Sequence, residues 1–159
     1  MKPWVVRVGT VAALALVMVS VNASIFTKER IKTEGELIYL ELAPVDPRSL
    51  MQGDYMALRF EIASHISTEA SGSAALLVDS RGVATLNADQ SAPGLRIRYR
   101  IRNGQVWLGT NAYFFEEGTA QRYAGAHFGE FRVDRNSGEA VLVGLADKDL
   151  ANLSQTQGK

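Results

Sequence analysis

Two aspartates, an arginine and a tyrosine lie close together in residues 44–60, between two apolar runs. Asp46 and Asp54 could accept or release a proton, and Arg48 could pair with either carboxylate. Pro44 and Pro47 restrict the backbone, and a rigid loop holds polar groups in fixed directions, as binding or proton transfer requires. The same residues also suit an ordinary turn, because aspartate favours turns and accepts backbone N–H bonds. The candidate motif comprises Asp46, Pro47, Arg48, Gly53, Asp54, Tyr55, Leu58 and Phe60.

Covalent and metal chemistry have little support in the sequence. The chain has no cysteine, which excludes disulfides, thiol catalysis and thiolate metal sites. Its two histidines, His65 and His127, lie far apart in sequence, whereas a zinc site needs three or four converging ligands. No lysine lies between Lys32 and Lys148, so a serine–lysine pair has no partner for the intervening serines. We therefore expect no cofactor and no metal site.

Four arginines alternate along one predicted strand, at residues 95–101 and just beyond. Period-two spacing places all four on one sheet face, with apolar residues on the other. Such a basic strip could meet anionic lipid headgroups or an acidic partner, or it could be a solvated face paired with acids such as Glu41 or Glu61. Lysine plus arginine equals aspartate plus glutamate, 17 each, so we expect no nucleic-acid partner. The strip consists of Arg96, Arg98, Arg100 and Arg102.

The element that precedes these residues is an apolar run over residues 8–26. As a helix it would reach roughly 28 Å, close to the ~30 Å hydrocarbon thickness of a bilayer. Lys2 and Arg7 precede the run, and Lys28 follows it, so a transmembrane anchor is the favoured interpretation. A signal peptide cut after Ala23 is the alternative. Basic residues on the two sides do not settle the topology, but a short tail before a large domain favours an extracytoplasmic C-terminal domain.

The rest of the chain is predicted to be mainly β (α+β), a small antiparallel sheet or barrel-like domain with one or two short helices. Residues 36–42 and 55–62 alternate as strands. Turn signals at residues 79–82, 103–104 and 134–139 predict three hairpins, and residues 116–127 and 146–153 suggest helices. We divide the chain into an anchor (residues 1–28), a stalk that Gly35 ends (29–35), the β-rich domain (36–153) and a tail (154–159).

The segment from Gly53 to Phe60 reads Gly-Asp-Tyr-Met-Ala-Leu-Arg-Phe and resembles the signature of the GDYXXLXY proteins, with phenylalanine in the final tyrosine place. Residues 22–29, 44–48 and 129–133 are also similar to recurrent pieces of that family. A secondary motif is formed by Glu116, Glu117 and Gly118, which follow two phenylalanines. The resemblance implies a bacterial membrane-anchored protein with a small β-rich domain, and it carries over no catalytic residue.

Two functions are consistent with these features. The first is a non-enzymatic interaction or accessory subunit of an envelope membrane complex, anchored in the inner membrane, with the lipid bilayer and a membrane protein as partners. The second is an envelope hydrolase or small-ligand binder that uses Asp46 and Asp54, with Glu116 or Glu117, and it requires two carboxylates to converge in one pocket.

Overall fold

A computed structural model describes residues 3–44, 51–52 and 55–154 of the chain. Its first element is one long helix, α1 (Pro3–Glu34). The helix is long and apolar enough to cross a membrane over Arg7–Glu34. It ends where predicted, at Gly35, whose N–H donates to the Ile31 carbonyl at 2.8 Å. These are the features of a single-pass membrane protein.

The described residues after α1 form three antiparallel sheets, so the fold is mainly β, as predicted. The sheet orders are β1-β9-β10, β2-β3-β8 and β5-β4-β6-β7. The strands are β1 (Glu36–Glu41), β2 (Met51–Gln52), β3 (Tyr55–Ala57), β4 (Gly72–Val78), β5 (Ala84–Leu86), β6 (Arg96–Arg102), β7 (Gln105–Trp107), β8 (Ala112–Phe114), β9 (Phe128–Val133) and β10 (Ala140–Ala146).

The core is built from alternate residues of these strands. Ile38 and Leu40 of β1 are fully buried and lie on the same face of the strand, as period-two spacing requires. Phe131 of β9 is also fully buried and meets the Phe60 ring edge-on, with centroids 5.1 Å apart. Burial of each such side chain contributes about 1.5–3 kcal/mol to stability. The sheet β1-β9-β10, which carries these residues, therefore contributes strongly to the stability of the domain.

The three predicted hairpins are confirmed. Asn103 and Gly104 both have positive φ, 50° and 71°, which is the geometry of the tight turn that joins β6 to β7. Asp79 closes the β4–β5 turn by accepting the Arg81 and Val83 N–H groups at 2.8 and 2.9 Å. Local turn chemistry therefore sets these three strand pairings.

The strand predicted over residues 55–62 is shorter than expected. β3 ends at Ala57, and a 3₁₀ helix follows at Glu61–His65. Between them the extended chain changes partner: Leu58 N–H donates to Asn111 O at 2.7 Å, and then Arg59 O accepts from Ala43 N–H at 2.8 Å. The alternation nevertheless continues, since Met56, Leu58, Phe60 and Ile62, at every second position of the segment, are all buried.

Of the two predicted helices, the first is much shorter than expected and the second is absent. Of residues 116–127, only α2 (Ala120–Tyr123) is α-helical, because Gly118 takes a φ of 80° that an α-helix does not allow. Residues 146–153 form no helix. Asp147 Oδ1 instead accepts the N–H groups of Asp149 and Ala151, both at 2.9 Å, and the chain turns back along β10.

Candidate functional site

The signature residues divide between those the structure describes and those it does not. Asp46, Pro47, Arg48, Gly53 and Asp54 lie outside the described residues. Leu58 and Phe60 are 2% and 3% exposed and belong to the core. The Phe60 ring packs over Gly129, where an added Cβ would lie 2.7 Å from Phe60 Cε1. The second half of the signature therefore has a packing role.

Tyr55, a described residue of the signature, lies beside the segment that leads into the secondary motif, although the two lie far apart in the sequence. β3 pairs with β8, which places Tyr55 opposite Phe114 with ring centroids 5.8 Å apart. The Phe114 side chain is 74% exposed. Glu116 and Glu117 follow β8 and are exposed, and Gly118 makes the turn into α2. Strand pairing thus brings Tyr55 of the signature close to the segment that carries the secondary motif.

Beside this region is an aromatic groove of about 370 Å³. Tyr123 forms its floor, stacked on Phe115 with centroids 5.3 Å apart and edge-on to Tyr113 at 5.2 Å. The Tyr113 hydroxyl donates to Ser154 Oγ at 2.8 Å. Burial raises the pKa of Tyr113 above its ordinary value of 10.0. The groove is lined by Phe114, Phe115, Glu116, Thr119, Arg122, Tyr123 and Ser154.

The arginine strip lies on β6, but its neighbours are not the expected acids. The prediction that acids such as Glu41 or Glu61 are their cross-strand partners is wrong, because β6 pairs with β4 and β7 rather than with β1. The residues opposite the four arginines are Ala75, Ser73, Trp107 and Gln105. Within the described ranges, no carboxylate lies within 4.0 Å of the guanidinium groups of Arg98, Arg100 and Arg102.

Arg96 differs from the other three arginines. Its guanidinium donates to Ser73 Oγ, the Ser73 carbonyl and the Gln90 carbonyl at 3.1, 3.0 and 2.8 Å. These bonds tie Arg96 to the neighbouring strand and loop, so we assign it a structural role.

The remaining three arginines line a pocket of about 90 Å³, which we call the basic pocket. The Arg102 guanidinium lies 5.3 Å from the centre of the Trp107 ring, within cation–π range. Arg98 N–H donates to Gly138 O at 2.7 Å, which brings the turn between β9 and β10 to the strip. The lining residues are Lys28, Arg98, Arg100, Arg102, Trp107, Gly109, Glu139 and Ala140.

Lys28 reaches the basic pocket because α1 is fastened to the domain. Lys28 pairs with Glu139, and Arg30 pairs with Asp134 at 3.5 Å. The pKa of Asp134 is lowered, first by N–H bonds from Ser137 and Asn136 and then by Arg30. The end of α1 and the turn between β9 and β10 are therefore joined by two ion pairs.

Apolar packing completes this junction. Ile31 is 2% exposed, and the Gly35 carbonyl accepts a hydrogen bond from Arg132 Nη1 at 3.0 Å. A Cβ on Gly35 would clash with the Ile31 carbonyl oxygen and would lie 3.0 Å from Val133 N, so only glycine allows this close approach without a shift. The domain thus begins directly at the end of the helix.

Comparison with known proteins places the chain in a family. The sequence model of the GDYXXLXY protein family matches residues 17–145, which is more than half of the chain. The chain belongs to the GDYXXLXY family. Neither the curated proteins nor the solved structures contain a significant match.

The GDYXXLXY match begins inside α1 and ends within β10. The matched region therefore includes the helix–domain junction, the basic pocket and the aromatic groove up to Tyr123. Sequence reasoning located the arginines and the Phe114–Gly118 segment, but it missed Lys28, Trp107 and Glu139. Their spacing in the sequence does not predict that they lie near the arginine strip. They reach it only through strand pairing and through the ion pairs that hold α1 against the domain.

Proposed function

We propose that this GDYXXLXY protein is a non-enzymatic accessory subunit of an envelope membrane complex. In this proposal α1 is an uncleaved anchor in the bacterial inner membrane, and the β domain lies outside the cytoplasm. The observation that carries the proposal is the junction, where Lys28, Arg30, Ile31 and Gly35 hold the domain against the end of α1.

A fastened domain suits a partner in the same bilayer. Two proteins confined to one membrane meet in a restricted set of orientations. A domain that is fixed to its helix therefore presents the same face to a neighbouring membrane protein at each encounter. Orientation that is set beforehand lowers the entropic cost of association. An enzyme acting on freely diffusing molecules gains nothing comparable from a fixed domain.

The aromatic groove is the face that we assign to this partner. Phe114 is exposed beside Tyr55, and Arg122 lines the same groove. Aromatic residues and arginine are enriched in protein interfaces, where they supply much of the binding energy.

The hydrolase hypothesis has less support. Asp46 and Asp54 lie outside the described residues, and Glu116 and Glu117 are both exposed. Among the described residues, Glu116 is the one carboxylate that lines the aromatic groove. An acid–base pair in that groove would need a second carboxylate from elsewhere.

Co-purification from native membranes in mild detergent tests the proposed function. We expect the tagged full-length chain to retain membrane proteins, and we expect Phe114→Ser to lose them. Leu77→Ser is the matched control, because Leu77 is also exposed, at 55%, and does not line the groove. Isolation of the wild-type chain alone, or equal retention by both variants, would contradict the proposal.

The topology has its own test. Added protease should digest the β domain in spheroplasts but not in intact cells. Protection of the domain in spheroplasts would place it in the cytoplasm.

A further inference from the structure

The basic pocket combines several cations with few opposing charges. Lys28, Arg98, Arg100 and Arg102 supply four positive charges, and Glu139 supplies one negative charge, so the lining residues carry a net +3. In the described part of the chain, the carboxylate of Glu139 pairs with Lys28 and leaves the three guanidiniums without an acid. Such a pocket favours an anion.

The position of the pocket along α1 indicates where this anion comes from. The apolar run ends at Phe26, and Lys28 follows about 3 Å further along the helix axis. The headgroup region extends roughly 5–7 Å beyond the hydrocarbon core on each side. The side of the pocket that Lys28 forms therefore lies at headgroup level when α1 spans a bilayer.

The pocket also has a defined shape. Trp107 holds the Arg102 guanidinium in place at 5.3 Å, which reduces the loss of side-chain entropy when a ligand binds. The volume of about 90 Å³ accommodates a small group rather than a large ligand. Guanidinium groups match the oxygens of a phosphate by donating parallel hydrogen bonds.

We infer that the basic pocket binds the phosphate group of an anionic phospholipid from the leaflet that the domain faces. This inference rests on the uncleaved anchor of the proposed function. It assigns to that anchored domain a specific lipid ligand beside its protein partner. A bound headgroup would connect α1, β6 and the turn between β9 and β10 through one phosphate.

Trp107 provides a direct probe of this site. The chain has two tryptophans, and Trp4→Phe leaves Trp107 as the single tryptophan. We would titrate this full-length protein in a nonionic detergent with phosphatidylglycerol, phosphatidylcholine and inorganic phosphate. We expect a saturable change in Trp107 fluorescence with phosphatidylglycerol, and a response at least about tenfold weaker with phosphatidylcholine, whose choline cation the pocket repels.

Charge reversal tests the residues. Arg98→Glu with Arg100→Glu should weaken phosphatidylglycerol binding by at least about 25-fold, since each arginine near an anionic surface contributes about a factor of five. Arg59→Glu with Arg81→Glu is the matched control, because it makes the same change of charge at exposed sites outside the pocket. Glu139→Gln removes the carboxylate of the pocket and should tighten binding, which a misfolded protein would not do.

Three outcomes would overturn the inference. The first is no fluorescence response of the Trp4→Phe protein to phosphatidylglycerol. The second is an equal loss of binding in the pocket variant and its control. The third is saturation by inorganic phosphate with no further effect of lipid, which would assign the pocket to a free anion. Co-purification of membrane partners by the Arg98→Glu, Arg100→Glu variant would show that the proposed function stands independently.

Discussion

Gly35→Ala is the sharpest test of how the helix is joined to the domain. An added Cβ would clash with the Ile31 carbonyl oxygen and would lie 3.0 Å from Val133 N and 3.1 Å from Arg132 Cβ, so the last turn of α1 must shift and move away from β9. The change weakens the bond from Arg132 to the Gly35 carbonyl, worth about 1.5–3 kcal/mol for a charged donor. It also exposes part of Ile31, whose full burial contributes about 1.5–3 kcal/mol.

Some of this loss is offset, because replacing glycine stabilises a chain by about 0.4–1 kcal/mol through the unfolded state. We therefore expect Gly35→Ala to lower the free energy of unfolding by about 1–3 kcal/mol. A chain of this size loses roughly 2–4 °C in Tm for each kcal/mol, so a shift of about 5 °C is expected.

The assay is thermal unfolding of the full-length protein in detergent, followed by near-ultraviolet circular dichroism of the domain aromatics. Gly125→Ala is the control, because its added Cβ would meet nothing within 4 Å and its φ is not positive. Equal melting temperatures for the wild type and both variants would refute the argument that the close approach at Gly35 stabilises the junction.

Three further predictions address the core, the acid response and the anchor. Phe131→Ala should destabilise the domain by about 3–5 kcal/mol, because a fully buried ring leaves a cavity; an unchanged urea midpoint would contradict this. The lowered pKa of Asp134 contributes stability above the ordinary value of 3.8, and this contribution is lost as pH falls through the folded-state pKa. Asp134→Asn should therefore flatten the fall in stability at the acid end of a urea titration series, and an identical pH profile would refute the role of this carboxylate. Mass spectrometry of the purified chain should find the anchor intact, and a chain that begins at Ser24 would show a cleaved signal peptide.

The parts of the fold that the sequence predicts are those that local chemistry decides. Asn103 and Gly104 specify their turn regardless of what lies around them, and the apolar run of β1 is recognisable as a strand. The segment 55–62 also alternates as predicted. Its change of partner after Ala57 could not be predicted, because it depends on where Ala43 and Asn111 lie in the folded chain.

The candidate site was predictable to a similar degree. The arginine alternation locates a strip on one strand face, but the identity of its neighbours is a property of sheet order. β6 lies beside β4 and β7, so Trp107 replaces the expected acids. Lys28 lies 70 residues before Arg98 in the sequence, and only the junction at the end of α1 brings it to the same pocket.

The direct junction between α1 and β1 couples the orientation of the helix to the orientation of the β domain. A transmembrane helix adjusts to a thinner or thicker bilayer by changing its tilt. Since no flexible linker separates Glu34 from β1, a change in helix tilt becomes an equal rotation of the β domain. With α1 in a bilayer, we therefore expect the angle between the β domain and the membrane surface to change with the thickness of the bilayer around α1.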